Sequence, residues 1–205
     1  DGRQISFDSA KEGHFDLYLI SAEGGQPRRL TTESSEDVVP SWSRDGRWIY
    51  FASNRSGDFQ VWKTAVGGGQ ALQVTRKGGF AAFESPDGRL VYYAKPRDAP
   101  SIWQVPAAGG EETPVVGPVK VANWGYWAVL DQGIYFGEKE VSPRPALKFF
   151  SFATRKVVSL EPDPAGQLGQ IVSLEKEPTA ARPRLAVSPD GRWILYAQVD
   201  HRVSD

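Results

Sequence analysis

Ser85-Pro86-Asp87-Gly88-Arg89 and Ser188-Pro189-Asp190-Gly191-Arg192 are two copies of one pentapeptide, each followed at once by an aromatic and branched run, Leu90-Val91-Tyr92-Tyr93 and Trp193-Ile194-Leu195-Tyr196. Ser43-Arg44-Asp45-Gly46-Arg47 before Trp48-Ile49-Tyr50-Phe51 is a variant copy, and Asp1-Gly2-Arg3 is the end of another. Pro fixes φ for the second position of a type I turn, Ser and Asp bond nearby backbone groups, and Gly accepts the left-handed conformation that closes a hairpin. The runs that follow have the composition and length of buried strands. The pentapeptide therefore predicts a hairpin corner, with Asp45, Gly46, Asp87, Gly88, Asp190 and Gly191 as structural corner residues.

Working outward, the corner aspartates stand at 1, 45, 87, 131 and 190, so the spacings are 44, 42, 44 and 59. The first three match the period of a four-stranded propeller blade, roughly 40–45 residues. A second landmark runs in phase: Gly24-Gly25, Gly68-Gly69 and Gly109-Gly110 each follow one short strand and precede another. The fold class read from this pattern is all-β, an incomplete β-propeller of four-stranded antiparallel blades, about four to five of them. With strands lettered A to D outward, the chain divides into a partial blade at 1–32, blades at 37–75, 79–116 and 120–160, and a partial blade at 183–199. Residues 161–183, with Pro162, Pro164, Pro178 and Pro183, read as a connection. The whole is expected to be one propeller region cut from a longer protein, and its open sheet edges offer a route to self-association.

Composition bounds the function. Seven Trp, seven Tyr and ten Phe beside 21 Gly and 15 Pro fit many short strands and tight turns. A net charge of −1 gives no push towards nucleic acid or anionic membrane, and the basic pairs Arg28-Arg29 and Arg76-Lys77 form no stripe with interleaved aromatics. No apolar run approaches a membrane span and no signal-peptide pattern opens the chain. Neither nucleic-acid nor membrane contact is expected of this region. The absence of Cys removes disulfides and thiolate metal sites while leaving the compartment open.

The stretch Pro40-Ser41-Trp42-Ser43-Arg44-Asp45-Gly46-Arg47-Trp48-Ile49-Tyr50-Phe51-Ala52-Ser53-Asn54-Arg55-Ser56-Gly57, with Val61-Trp62 and Gly68-Gly69 beyond it, resembles the TolB-like (PD40-type, WD-like) β-propeller repeat of bacteria. Phe149 to Thr154 and Leu185 to Tyr196 resemble the last blades of propellers fused to winged-helix regulators or serine/threonine kinases. The resemblance implies a non-catalytic interaction or sensor module and a periplasmic location, with the cytoplasm as the alternative.

No residue pattern argues for chemistry. A Gly-x-Ser-x-Gly elbow is missing, and the two histidines, His14 and His201, lie in a predicted loop and near the end. Zinc spacing is absent, the glycine pairs precede strands where a phosphate cradle needs a helix, and Glu33, Glu36 and Asp37 lack the order of a calcium loop. Neither catalytic residue, cofactor nor metal is expected. Trp124, Tyr126 and Trp127 could line a binding mouth, although core packing explains most Trp here. In a propeller the D-to-A and B-to-C connections share one face, and loops on a rigid scaffold carry function. His14, Arg55, Asp58, Arg97, Asp98, Trp124 and Trp127 are the candidate partner-binding residues, for a protein or peptide partner. The alternative is the gating propeller of a prolyl-oligopeptidase-type serine peptidase with its catalytic domain outside this chain.

Overall fold

The computed structural model describes residues 2–95, 102–117, 127–138, 146–160, 171–173, 185–188 and 190–196, and among these there are eighteen strands and no α-helix. The chain forms two compact units, Asp1–Asp98 with Ile102–Val115, and Ala99–Ser101 with Val116–Asp205.

The first unit holds three sheets. β1 (Gln4–Ser9), β2 (Asp16–Ser21) and β3 (Arg28–Arg29) form one. β4 (Asp37–Trp42), β5 (Trp48–Ser53), β6 (Gln60–Ala65) and β7 (Leu72–Gln73) form the second. β8 (Phe80–Glu84), β9 (Leu90–Ala94), β10 (Ile102–Pro106) and β11 (Thr113–Val116) form the third. Every sheet is an antiparallel meander in chain order, the arrangement of propeller blades. The second sheet is covered on both faces. Leu17, Leu19 and Leu30 of the first sheet pack on Ile49 and Phe51, while Tyr50, Val61 and Val74 pack on Val91, Tyr93 and Val105 of the third. This two-sided burial is why β5 reads as a continuous apolar run rather than an alternating one.

The corners are built from their own side chains. Ser43, Ser85 and Ser188 donate through Oγ to Oδ1 of Asp45, Asp87 and Asp190 at 2.6, 2.6 and 2.5 Å. The same Oδ1 atoms accept from the amides of Arg47, Arg89 and Arg192 at 3.0, 3.1 and 3.0 Å. Gly46, Gly88 and Gly191 close the turns at φ of 69°, 70° and 69°, where a side chain would be strained. Hydrogen bonds from Ser43, the Arg47 amide and the Arg47 side chain bring the Asp45 carboxyl down to about 2, and Asp87 and Asp190 are lowered by their serines in the same way.

One recurrent feature has no local sequence signal. β4 and β8 each carry a register shift, between Val38 and Ser41 and between Phe80 and Phe83, with Val39 at φ 54° and Ala81 at φ 47°. Such bulges bend a strand and raise its twist. Val39 is held there by a hydrogen bond from its amide to Asp8 Oδ1 of the preceding sheet at 3.2 Å.

In the second unit, β12 (Trp127–Leu130), β13 (Gly133–Glu138), β14 (Ala146–Ser151) and β15 (Val157–Ser159) form a four-stranded antiparallel meander. A Cβ at Gly133 would run into the Phe150 carbonyl oxygen, so the shortened corner Asp131-Gln132-Gly133 depends on that glycine. β16 (Ile171–Ser173), β17 (Leu185–Val187) and β18 (Ile194–Tyr196) form a three-stranded sheet in which β18 pairs antiparallel with β17 and parallel with β16. The reading of 161–183 as a connection is corrected here, because β16 lies within it. Leu147 and Leu185 are buried together against Tyr135, Leu160, Val187 and Ile194.

Candidate functional site

Ala10 to Gly13 and Asn54 to Gly57 are the same turn in consecutive copies, closed by Gly13 N donating to Ala10 O at 3.1 Å and Gly57 N to Asn54 O at 2.8 Å. His14 and Asp58 are therefore equivalent positions. His14 is partly covered, with Nε2 3.4 Å from Asp16 Oδ2, and Arg29 reaches the same carboxylate at 2.5 Å. Asp58 is exposed and makes no hydrogen bond or ion pair with the described residues. Arg55 turns inward. Its guanidinium donates to Asp37 Oδ2 at 2.7 Å, its Nε to Ser53 Oγ at 3.0 Å, and it stacks 5.3 Å from the Phe51 ring and 5.1 Å from the Trp62 ring. Trp127 opens β12 and is buried, in register with Phe136. Arg97, Asp98 and Trp124 lie outside the described residues. Among the described candidates on the first unit, Asp58 alone presents a charged side chain free of internal partners.

The junctions between sheets differ in chemistry. Between the second and third sheets, Glu112 Oε1 accepts from the amides of Arg76 at 2.6 Å and Lys77 at 3.1 Å, while Oε2 accepts from the Tyr93 hydroxyl at 2.6 Å and faces Lys95 Nζ at 3.6 Å. Lys95 in turn lies 3.6 Å over the Trp103 ring. Burial would raise the Glu112 carboxyl, but the Tyr93 hydroxyl, the two amides and the Lys95 charge outweigh it and hold the group below the ordinary range. Burial dominates at Lys95, whose ammonium is lowered, and at Tyr93, whose hydroxyl is raised further by its bond to Glu112.

Between the first and second sheets the corresponding place is a cavity of about 360 Å³ lined by Leu30 to Glu33, Arg55, Trp62 and Gly69 to Ala71. Trp62 pairs with Phe51 across the strands as Trp103 pairs with Tyr93. Val66 N donates to Arg47 O as Ala107 N donates to Arg89 O, so Ala71 and Glu112, each five residues further on, are equivalent. Thr31 and Thr75 are also equivalent: each is buried and accepts through Oγ1 from the first core amide of the neighbouring strand, Leu17 N at 3.0 Å and Val61 N at 2.8 Å. Thr32 and Glu33 thus stand where Arg76 and Lys77 do. The Trp62 Nε1 is buried without a hydrogen-bond partner among the described residues. Sequence reasoning missed this site. The signal was available in one column of the repeat, Pro27, Ala71 and Glu112 after the glycine pairs, where a buried acid replaces a small residue.

The architecture has known counterparts. A TolB from Agrobacterium tumefaciens superposes with a TM-score of 0.66 at 22% identity, over 78% of this chain and 61% of that one. A TolB from Acinetobacter baumannii gives 0.62 at 20%, over 77% and 40%, and a puromycin hydrolase 0.60 at 15%, over 98% and 34%. Identities this low show a shared fold, and the chain spans less than two thirds of each of these proteins. No curated protein matches it by sequence. Residues 1–113, which carry β1 to β10 with their corners and glycine-pair hairpins, match the TolB beta propeller domain model, and the chain belongs to that β-propeller family.

Proposed function

We propose that this chain is a non-catalytic interaction or sensor module of a bacterial regulatory protein, taking a protein or peptide partner on the face that carries the D-to-A and B-to-C connections. On this reading residues 1–205 are one propeller region working in the periplasm. The observation that carries it is variation over a constant frame. Asp37 N donates to Phe15 O at 2.8 Å and Gly79 N to Phe59 O at 3.0 Å, closing both D-to-A connections at the same place. Between Thr31 and Asp37 the chain nevertheless holds two more residues than between Thr75 and Gly79, and its charge differs. Loops that vary on a fixed scaffold are where recognition is placed.

The test is capture of a partner from lysate of the source cells by the purified chain and by an Asp58→Arg, Arg97→Ala, Asp98→Ala triple variant. Arg55 is kept because its side chain is internal. Loss of the partner in the triple variant, with capture retained when Arg47 and Arg89 of the corner face are changed to Ala, supports the reading. Capture that survives the triple variant overturns it.

A second reading, a gating propeller of a serine peptidase, is favoured by the likeness to puromycin hydrolase across 98% of the chain. Peptidase activity of the parent protein, abolished by a serine-directed inhibitor, would put it first.

A further inference from the structure

We propose that the cavity between the first two sheets binds a planar hydrogen-bond-acceptor group, the carboxylate or carboxamide end of a peptide side chain. The molecule itself supplies the template, because the equivalent place one junction on is filled by the Glu112 carboxylate. The inference goes beyond the proposed function: it names a site inside a sheet junction and stands whether or not the loop tips take a partner.

Three observations converge. First, the frame is the same on both junctions while the filling differs. Ala71 stands where Glu112 stands, so the cavity has lost a side chain and kept its walls. Second, the walls present donors. The Thr32 and Glu33 amides correspond to the Arg76 and Lys77 amides that hold Glu112, and they make no hydrogen bond within the described residues. Trp62 also lines the cavity, and its Nε1–H, buried beneath that surface without an acceptor among the described residues, reports on occupancy next to it. Third, a cation lies over the conserved-register tryptophan in both places, Arg55 over Trp62 as Lys95 over Trp103.

Charge sets the breadth of the ligand class. The Lys95 ammonium faces Glu112, whereas the cavity has Arg55 already paired with Asp37 and has Glu33 on its wall. The charges there sum to a negative value, so the neutral carboxamide is favoured over the carboxylate, with shape and hydrogen bonding common to both. The stem of such a side chain would lie against Leu30 and Ala71, which supply the apolar wall.

The experiment uses amide and indole NMR of the whole chain titrated with the N-acetyl methylamides of glutamate, glutamine and norvaline at millimolar concentrations. The proposal expects shifts at the Thr32 and Glu33 amides and at the Trp62 indole with the glutamate or glutamine compound, and none with norvaline, which has the same length without the acceptor. Ala71→Glu places an acceptor inside the cavity and should remove the response at least tenfold. Silence at all three signals, an equal response to norvaline, or an undiminished response in folded Ala71→Glu overturns the proposal. The wild-type arms decide it even where the variant does not fold.

Discussion

The junction between the first and second sheets and the junction between the second and third share a frame and differ in what closes them. Both have a buried threonine after strand D, a tryptophan on strand C stacked under a cation, and a glycine-pair hairpin reaching across. One is closed by a buried carboxylate with four donors around it, the other by an inward-turned arginine paired with Asp37 beside an open cavity. The contrast teaches that a repeat fixes backbone geometry and leaves polar satisfaction to each copy. Where a copy lacks the acid, the donors it would have held remain.

The largest expected effects break each closure separately. Arg55→Ala leaves the fully buried Asp37 carboxylate without its cation and should cost about 3 kcal/mol, read as a fall in denaturation midpoint with unchanged slope. Glu112→Ala should cost about the same on the other junction, since it orphans the Tyr93 hydroxyl and two amides together. Glu112→Gln sharpens the point through pH. The folded carboxyl is lowered, so its contribution is intact above the ordinary glutamate range near about 4.3 and is lost as pH falls through the lower folded value. Wild type and Glu112→Gln should therefore differ in thermal midpoint at neutral pH and converge in acid. A constant difference down to acid pH would show that the carboxylate charge contributes nothing.

Glycines give the smaller effects. Gly79→Ala would put a Cβ 2.8 Å from Thr75 Oγ1 and 2.9 Å from Val61 Cγ2, directly beneath the second junction, and should cost about 2 kcal/mol. Gly46→Ala meets nothing within 4 Å and carries only the strain of φ 69°, about 1 kcal/mol. Thermal denaturation of the two side by side distinguishes crowding from backbone strain.

What the sequence made legible was local. The corners could be read because Ser43, Asp45 and Arg47 bond one another within five residues, and the sheets because aromatic runs recur in phase with them. Glu112 was not legible, since its donors are 36, 35 and 19 residues away and it stands in a hairpin that otherwise reads as polar turn. Arg55 reads as a loop tip because its turn is exposed, while the partner that draws it in lies 18 residues back. The bulges at Val39 and Ala81 have no residue signature, since neither side chain favours a positive φ and the partner that holds Val39 lies 31 residues back, at Asp8. β16 escaped notice as three residues in a proline-bearing stretch, paired in the parallel sense that a meander does not anticipate.

The paired closure of the D-to-A connections, Asp37 to Phe15 and Gly79 to Phe59, has a practical side. A segment pinned by backbone hydrogen bonds at its exit and by a buried threonine at its entry behaves as an insertion port. Lengthening it adds only a slowly growing loop-closure entropy. Ser34, exposed and within the connection that is two residues longer than the copy that follows, is the place to graft an epitope or a reporter without disturbing the sheets on either side.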